Sequence, residues 1–445
     1  MITLYDTTLR DGMQGEGMSL SVDEKVRVAH ALDSLGVHLI EAGFPASNPK
    51  EEALFDLLSR ESFESSEIAA FGMTRRRDSS AGDDPALRLL ADSFAPVCTL
   101  VGKTWSLHLE KVTHVEPEEN LRMIAESVAF LVAEEKRVIY DAEHFFDAYR
   151  ADADYALRCV RAAAEAGAEN VTLCDTNGSS LPAQVAEATA AVVAELAGTG
   201  VGIHTHDDAG CGVANTLVAV EAGARLVQGT LNGYGERCGN ANLVTIVPTL
   251  ELKMGRACIG RERLRRLTEV AHLVDELCNV TPNANQPYVG ANAFAHKGGM
   301  HVAGINRDAR TFEHVDPADV GADRRVLVSE LSGKGTVQAR ADVDAATAAR
   351  VVDRVKALEH EGYQFEAADG SFDLLIRKET GDYSPLFRLE SWRAMVEKRA
   401  DGRVETEATI KIWVDGERYV RTAEGNGPVN ALDKALRDAI GERYP

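Results

Sequence analysis

Residues 5–17 read YDTTLRDGMQGEG, a short strand pattern that runs into a polar turn rich in glycine. The strand pattern begins with ITLYD at residue 2, and a helical pattern, SVDEKVRVAHALDSLG, follows at residues 21–36. Ser21 and Glu24 have the spacing of a capping box, and Gly36 is placed to end the helix. The stretch is therefore a βα unit, from which parallel sheets are built.

The same unit recurs through roughly the first 250 residues, where short apolar runs alternate with helical patterns. The eight predicted strands are ITLYD (2–6), HLIEAGF (38–44), IAAFGM (68–73), VCTLVGK (97–103), RVIYDAE (137–143), NVTLCD (170–175), VGIHTH (201–206) and RLVQGTLN (225–232). Eight strands in this rhythm predict an α/β fold, a (β/α)8 TIM barrel over residues 1–275. A doubly wound sheet is the alternative.

The pattern changes beyond the predicted barrel. Residues 276–325 are too long and irregular for an ordinary connection, and such segments are usually functional or disordered, so we expect a linker subdomain here. The run VDAATAARVVDRVKALEHEG (343–362) predicts a helical second subdomain over residues 326–368.

Residues 369–445 have the pattern of a small α+β domain. SFDLLIR (371–377) is expected to be a strand, and Asp-Gly pairs at 401–402 and 415–416 predict hairpins between alternating segments. A closing helix, NGPVNALDKALRDAIG, completes one βββα unit appended to the barrel.

Composition narrows the function classes. Asp and Glu outnumber Lys and Arg by 70 to 48, and the net charge of −22 opposes binding to nucleic acid or an anionic membrane. No apolar run has bilayer length and no leader pattern precedes ITLYD, so we expect a cytoplasmic protein. The seven cysteines lack CxxC spacing and are expected to be reduced thiols.

The polar residues that follow the strands are candidates for a metal site. His204 and His206 stand two apart in IHTH and point to the same side of a strand, where both can bind one ion. Asp11 after the first strand can add a carboxylate oxygen, and Asn240 after the eighth an amide oxygen. The alternatives are a hydrogen-bonded histidine pair, a turn aspartate and a helix-capping asparagine.

Other polar residues are predicted at the same end of the barrel. Arg10 can present its guanidinium to a developing oxyanion, or it can form a salt bridge across the rim. Lys103, Glu143 and Thr176 end strands four, five and six. Each is singly more typical of a structural role, but active sites of TIM barrels lie at these strand ends.

Several motifs together resemble the DRE-TIM metallolyase superfamily: DTTLRDGMQGEGMSLSVDEK, HTHDDAG, NGYGERCGNANL, FAHKGGMHVAGI and AEGNGPVNALDKAL. Within it the chain is most similar to the bacterial citramalate synthases, relatives of the 2-isopropylmalate and homocitrate synthases. The resemblance implies a divalent cation, Mg, Mn or Zn, on Asp11, His204, His206 and Asn240. It also implies condensation of acetyl-CoA with a 2-oxo acid, here pyruvate, and thioester hydrolysis to citramalate and CoA.

The resemblance assigns further roles. Thr176 would hold the oxo-acid carboxylate, Glu143 would be a catalytic and substrate-binding residue near the reacting carbons, and Arg10 would face the reacting oxygen. Lys103 is expected to bind substrate at the same end of the barrel. His301 in KGGMH would be the catalytic base, supplied by the partner chain of a domain-swapped homodimer. Asp6 is expected to support Arg10 and Asp11 without touching the substrates.

Three departures keep alternatives open. Phe312 stands where the family usually has a tyrosine, and IEAGFPASNP mixes features of two synthase groups. Residues 369–445 match one of the family's two βββα regulatory units, so a loss of feedback control is expected. A 2-isopropylmalate or homocitrate synthase is the runner-up function, followed by a retro-aldol lyase and by a non-catalytic binding protein.

Overall fold

Eight parallel strands form a closed barrel in the computed structural model, which describes residues 1–45, 47–326, 337–338, 343–366 and 368–444. The strands are β1 (Thr3–Asp6), β2 (Leu39–Gly43), β3 (Glu67–Met73), β4 (Val97–Lys103), β5 (Arg137–Glu143), β6 (Asn170–Asp175), β7 (Gly200–Thr205) and β8 (Leu226–Gly229). The barrel closes where β8 pairs with β1, with Thr3 opposite Leu226 and Asp6 opposite Gly229. The predicted TIM barrel is confirmed, and the doubly wound alternative is wrong.

Helices connect the strands and cover the barrel. They are α1 (Val22–Leu35), α2 (Pro49–Leu58), α3 (Pro85–Asp92), α4 (Pro117–Ala133), α5 (Phe145–Ala151), α6 (Ala153–Glu165), α7 (Pro182–Glu195), α8 (Gly212–Ala222), α9 (Leu243–Pro248), α10 (Arg261–Leu264) and α11 (Leu267–Leu277). The first helix begins at the predicted capping box of Ser21 and Glu24 and ends at Gly36, whose φ of 90° is left-handed.

Two apolar layers hold the barrel together. Residues from six strands, among them Tyr5, Ala69 and Ile139, form a buried cluster inside it. A larger cluster lies between the strands and the helices. Because the interior is filled by side chains, a site for small molecules has to lie at one end of the barrel.

Short elements follow the barrel: β9 (Ala295–His296) pairs in parallel with β10 (Arg325–Val326), and α12 spans Gly299–Ile305. Two longer helices, α13 (Ala345–His360) and α14 (Asp369–Thr380), share one apolar cluster. The predicted strand SFDLLIR is wrong, because this segment lies in α14. Phe372, Leu375 and Ile376 have helical spacing and are buried in the cluster with Val351 of α13.

The last segment is the predicted βββα unit. Strands β11 (Arg388–Lys398), β12 (Val404–Val414) and β13 (Glu417–Gly425) form an antiparallel sheet, and α15 (Pro428–Ile440) follows. At the second hairpin Asp415 and Gly416 have φ of 48° and 86°, as a two-residue turn of this hand requires. Alternate residues of β12, such as Ile410 and Ile412, pack with Ala435 of the helix.

The chain divides into two compact units, Met1–His296 with His301–Val326, and Lys297–Met300 with Leu327–Pro445. The subdomain boundaries predicted at 275, 325 and 368 stay predictions. Within the described ranges, no helix is long and apolar enough to cross a membrane.

Candidate active site

Asp11, His204 and His206 meet at the carboxyl end of the barrel. Asp11 lies in the turn after β1, His204 lies within β7, and His206 directly follows that strand. Asp11 Oδ2 is 3.4 Å from His204 Nε2 and 4.0 Å from His206 Nε2, and the two Nε2 atoms are 3.4 Å apart. All three residues are buried. One carboxylate oxygen and two imidazole nitrogens thus converge on one point, as a divalent cation requires.

Asn240 lies beside this cluster, since its backbone forms an isolated bridge with that of His206. Its Nδ2 donates to the carbonyl of Tyr234 at 3.0 Å. Asn240 Oδ1 and His206 Nδ1 are buried without a hydrogen-bond partner in the described part of the chain. An unpaired buried acceptor costs about 1 to 3 kcal/mol, which a cation on the amide oxygen would remove. The donor set therefore fits a cation with oxygen and nitrogen ligands.

A glycine allows this position of Asn240. Gly235 has a φ of 148°, and a Cβ atom there would lie 2.2 Å from Asn240 Nδ2. A side chain at residue 235 would therefore displace the Asn240 amide. Gly235, the second residue after Gly233 in GYGERCGN, thus leaves the space that this amide occupies.

The charges of the cluster suit a cation. Burial opposes ionisation of Asp11, but Arg10 and His204 outweigh it, so the pKa of Asp11 lies well below its usual range. Burial and the neighbouring His204 lower the pKa of His206 to about 4. Burial also disfavours the charged form of His204, but Asp11 outweighs it and raises the pKa of His204. At neutral pH the aspartate is ionised and His206 is neutral, which are the forms that bind metal ions.

Arg10 is held between two carboxylates. Its Nε donates to Glu41 Oε2 at 2.6 Å, and its Nη1 lies 3.1 Å from Asp11 Oδ2. The guanidinium also stacks on the ring of Phe71, 4.0 Å from its centroid. Both the oxyanion and the salt-bridge reading of Arg10 are compatible with these contacts, because no hydrogen bond from Nη2 is found among the described residues.

The sequence analysis missed three buried residues that neighbour the cluster and Arg10: Glu41, Gln228 and Asp141. Glu41 of β2 is fully buried, and it accepts from Arg10 and, at 2.7 Å, from the hydroxyl of Tyr5. Gln228 of β8 contacts the ring of His204, and Asp141 of β5 contacts Gln228. Their signal in the sequence is a polar residue in the middle of an otherwise apolar strand, as in LIEAG and LVQG.

Lys103, Glu143 and Thr176 lie at neighbouring strand ends. Lys103 and Glu143 stand opposite each other in the pairing of β4 with β5, and their side chains form an ion pair. The Thr176 hydroxyl accepts a hydrogen bond of 2.9 Å from the backbone N–H of His144. The structure therefore brings these three predicted residues to the same end of the barrel as the cluster.

A cavity of about 290 Å³ joins these groups. The sequence-predicted residues that line it are Arg10, Asp11, Lys103, Glu143, Thr176, His204 and His206. A second cavity of about 580 Å³ adjoins it and shares Phe44, Phe71, Met73, Val101 and Lys103 with it. Arg76 and Arg77 line the second cavity.

Three predicted residues, Asn240, Asp6 and His301, are not among the described residues that line either cavity. His301 is exposed and stacks on Phe312 with 4.2 Å between ring centroids, and it is not among the described residues that line either cavity. Asp6 accepts from the backbone and hydroxyl of Thr8 and, at 3.1 Å, from the N–H of Leu231. It therefore ties the first turn of the barrel to the loop after β8.

A TIM barrel with one aspartate, two histidines and an unpaired amide oxygen at the carboxyl ends of its strands has the donor set of an enzyme that binds a divalent cation. Residues 1–274 match the HMGL-like family, residues 288–362 the family described as homocitrate synthase post-HMGL domain-like, and residues 366–444 the LeuA allosteric (dimerisation) domain.

Full-length relatives narrow this class. The chain is 48% identical to the (R)-citramalate synthase of Streptomyces coelicolor over 99% of its own length and 84% of that protein. It is 46% identical to the (R)-citramalate synthase of Geobacter sulfurreducens, over 100% of this chain and 86% of that protein. A probable 2-isopropylmalate synthase of Methanopyrus kandleri is 33% identical over 99% of this chain and 86% of that protein. The chain belongs to the HMGL-like family, in the group of citramalate synthases.

Solved structures agree on the fold. The HMG-CoA lyase of Bacillus subtilis superposes with a TM-score of 0.55 at 21% identity, over 64% of this chain and 96% of that one. The predicted superfamily is thereby confirmed by the matched families and relatives, and the lyase superposition supports the barrel alone.

Proposed function

We propose that this protein is a citramalate synthase, which condenses acetyl-CoA with pyruvate and hydrolyses the thioester to release citramalate and CoA. The observation that carries the proposal is 42% to 48% identity to five (R)-citramalate synthases, over 99% or 100% of this chain. The cluster of Asp11, His204 and His206 at the catalytic end of the barrel supports it.

The cation site is proposed to consist of Asp11, His204, His206 and Asn240. A bound Mg, Mn or Zn ion supplies Lewis-acid chemistry there, polarising a ketone and neutralising negative charge. The buried unpaired oxygen of Asn240 and the ionised Asp11 support this assignment.

The residues around the cation site bind and orient the 2-oxo acid. Arg10 reaches the ketone oxygen with the part of its guanidinium that Glu41 and Asp11 leave unused, and so stabilises the charge that develops there. The Thr176 hydroxyl already accepts from His144, so its own proton is available to the substrate carboxylate. The aromatic rings of Phe44 and Phe71 limit the space beside Arg10, which favours the methyl group of pyruvate.

Acetyl-CoA is proposed to enter through the second cavity. This cavity adjoins the first at Phe71 and Lys103, so a thioester that passes along it arrives beside Glu143, the partner of Lys103. Arg76 and Arg77 line it and are exposed, so they can bind phosphate groups. The chain as a whole is acidic, so these guanidinium groups matter for an anionic substrate.

A base has to remove a proton from the acetyl methyl group. We assign it to His301, supplied by the partner chain of a domain-swapped homodimer. His301 is exposed and is not among the described residues that line the two cavities, which supports this assignment. The match of residues 366–444 to a dimerisation domain supports a dimer.

All seven cysteines are unpaired, which suits the cytoplasm.

The runner-up is 2-isopropylmalate synthesis, which the 33% identical probable 2-isopropylmalate synthase favours. The two functions differ in the 2-oxo acid, so the test is CoA release, followed with a thiol reagent, from acetyl-CoA with pyruvate, 2-oxoisovalerate or 2-oxoglutarate. We expect the highest kcat/KM with pyruvate. Chelation should abolish turnover, and added Mn or Mg should restore it. A higher kcat/KM with 2-oxoisovalerate would establish the runner-up instead.

A further inference from the structure

The two histidines of the cation site are held in different ways. His204 Nδ1 lies 2.8 Å from Oε1 of Gln228, and both residues are buried. His206 Nδ1 has no hydrogen-bond partner in the described part of the chain. The protein thus orients one ring through a side chain of β8 and leaves the other without such a partner.

The orientation of the Gln228 amide is set by its other neighbours. Its Nε2 donates to Asp141 Oδ1 at 2.9 Å and to the hydroxyl oxygen of Thr172 at 3.3 Å. The Thr172 hydroxyl donates its own proton to Asn170 Oδ1 at 3.2 Å, so it can only accept a hydrogen bond from the Gln228 amide. The reversed amide would place its carbonyl oxygen against Asp141 Oδ1 and against the Thr172 hydroxyl oxygen, whose proton is already donated to Asn170. The oxygen Oε1 therefore has to face His204.

An amide oxygen can only accept a hydrogen bond, so the ring nitrogen that faces it carries the proton. We propose that Gln228 is a positioning residue that holds His204 in its Nδ1–H tautomer and thereby directs the Nε2 lone pair at the cation. Asp141 acts one step further back, by fixing the amide. The network joins β5, β6 and β8 to the ligand on β7, entirely inside the barrel.

The first test is the affinity of the full-length protein for Mn2+. Gln228→Met removes both halves of the amide at similar volume, and loss of such a partner typically weakens a metal site about 10- to 100-fold. Isothermal titration with Mn2+ measures the change without any substrate. Thr189→Val is the matched control, because Thr189 of α7 is equally buried and its hydroxyl has no hydrogen-bond partner in the described part of the chain. Its affinity should match that of the unaltered protein.

The second test reads the tautomer. In 15N-histidine correlation spectra recorded above the pKa of His204, the proton should lie on Nδ1 of His204 and lose this preference in Gln228→Met. Asp141→Asn gives a second variant, since an asparagine amide accepts either orientation of Gln228, and a mixture of tautomers with an intermediate affinity is expected. A proton on Nε2 in the unaltered protein would overturn the inference, as would equal Mn2+ affinity in all variants.

The inference rests on the cation site of the proposed function, and the outcomes separate the two. If the unaltered protein binds no Mn2+, the cation site itself is wrong. If it binds Mn2+ and Gln228→Met binds equally well, only the role of Gln228 fails. The melting curve of Gln228→Met shows whether this variant folds. If it does not, the Mn2+ affinity and the His204 tautomers of Asp141→Asn test the role of Gln228 instead.

Discussion

Replacing Arg10 with lysine removes the geometry of the guanidinium and keeps its charge. Nε donates to Glu41 at 2.6 Å, Nη1 lies 3.1 Å from Asp11, and Nη2 forms no hydrogen bond among the described residues. In the proposed function Nη2 binds a substrate oxygen. A lysine ammonium is one point of charge and cannot cover all three. We expect it to remain with Glu41, because an unpaired buried carboxylate costs about 3 to 5 kcal/mol.

The magnitude follows from what the substrate loses. An oxyanion donor contributes about 100- to 1,000-fold to kcat, or about 2.7 to 4 kcal/mol. Arg10→Lys should therefore lower kcat by about this factor, whereas its Mn2+ affinity should change only a few-fold, because Arg10 is not a ligand. Steady-state CoA release gives kcat and KM, and isothermal titration gives the Mn2+ affinity.

A matched control is Arg27→Lys, since Arg27 is exposed on α1 and lines neither cavity. It should leave both measurements unchanged. The reasoning is refuted if Arg10→Lys keeps kcat within tenfold. If kcat and Mn2+ affinity fall by similar factors, Arg10 acts by orienting Asp11 and not by binding the substrate oxygen.

Three further outcomes are expected. Asp11→Asn should weaken Mn2+ binding more than Asp6→Asn, because Asp6 bonds to Thr8 and the loop after β8 and not to the cation cluster; the opposite ranking in titrations would reverse these roles. Phe312→Tyr should change kcat by less than a hundredfold, since solvent replaces a peripheral proton donor, and a hundredfold rise would contradict this. Mn2+ affinity should fall as the pH drops through the raised pKa of His204, because protons compete with the cation for Nε2 below that pKa. Above it the affinity should stay constant. Titrations at several pH values that show no loss at low pH would contradict this expectation.

The barrel was predictable because its signal is local and repeated. Each strand is a short apolar run followed by a helix, and eight such runs leave few alternatives to closure. Asp11 and His204 were predictable for the same reason, since a polar residue at a strand end has to lie at the catalytic end of a barrel. The observed cluster agrees with that expectation in its geometry, and its role in cation binding stays a proposal.

Other features depend on contacts that no local pattern reveals. SFDLLIR has an apolar run that suits a strand or a helix, and packing against Val351 of α13 decides for the helix. Glu41 and Gln228 occur singly within buried strands, and their partners lie on other strands far along the chain. The proposed place of His301 at the site of a second chain is likewise outside what one sequence pattern can specify.

The cation cluster also reports on how the chain folds. Asp11 belongs to the first strand unit and His204 to the seventh, and β8, which pairs with both β1 and β7, stands between them. The ligands therefore come together only when the two ends of the barrel sequence have met, which is a contact of long sequence separation and so a slow step. An ion that binds only the joined form shifts this equilibrium by mass action. During refolding, cation binding should therefore coincide with the pairing of β8 with β1 and β7, and it should stabilise the closed barrel.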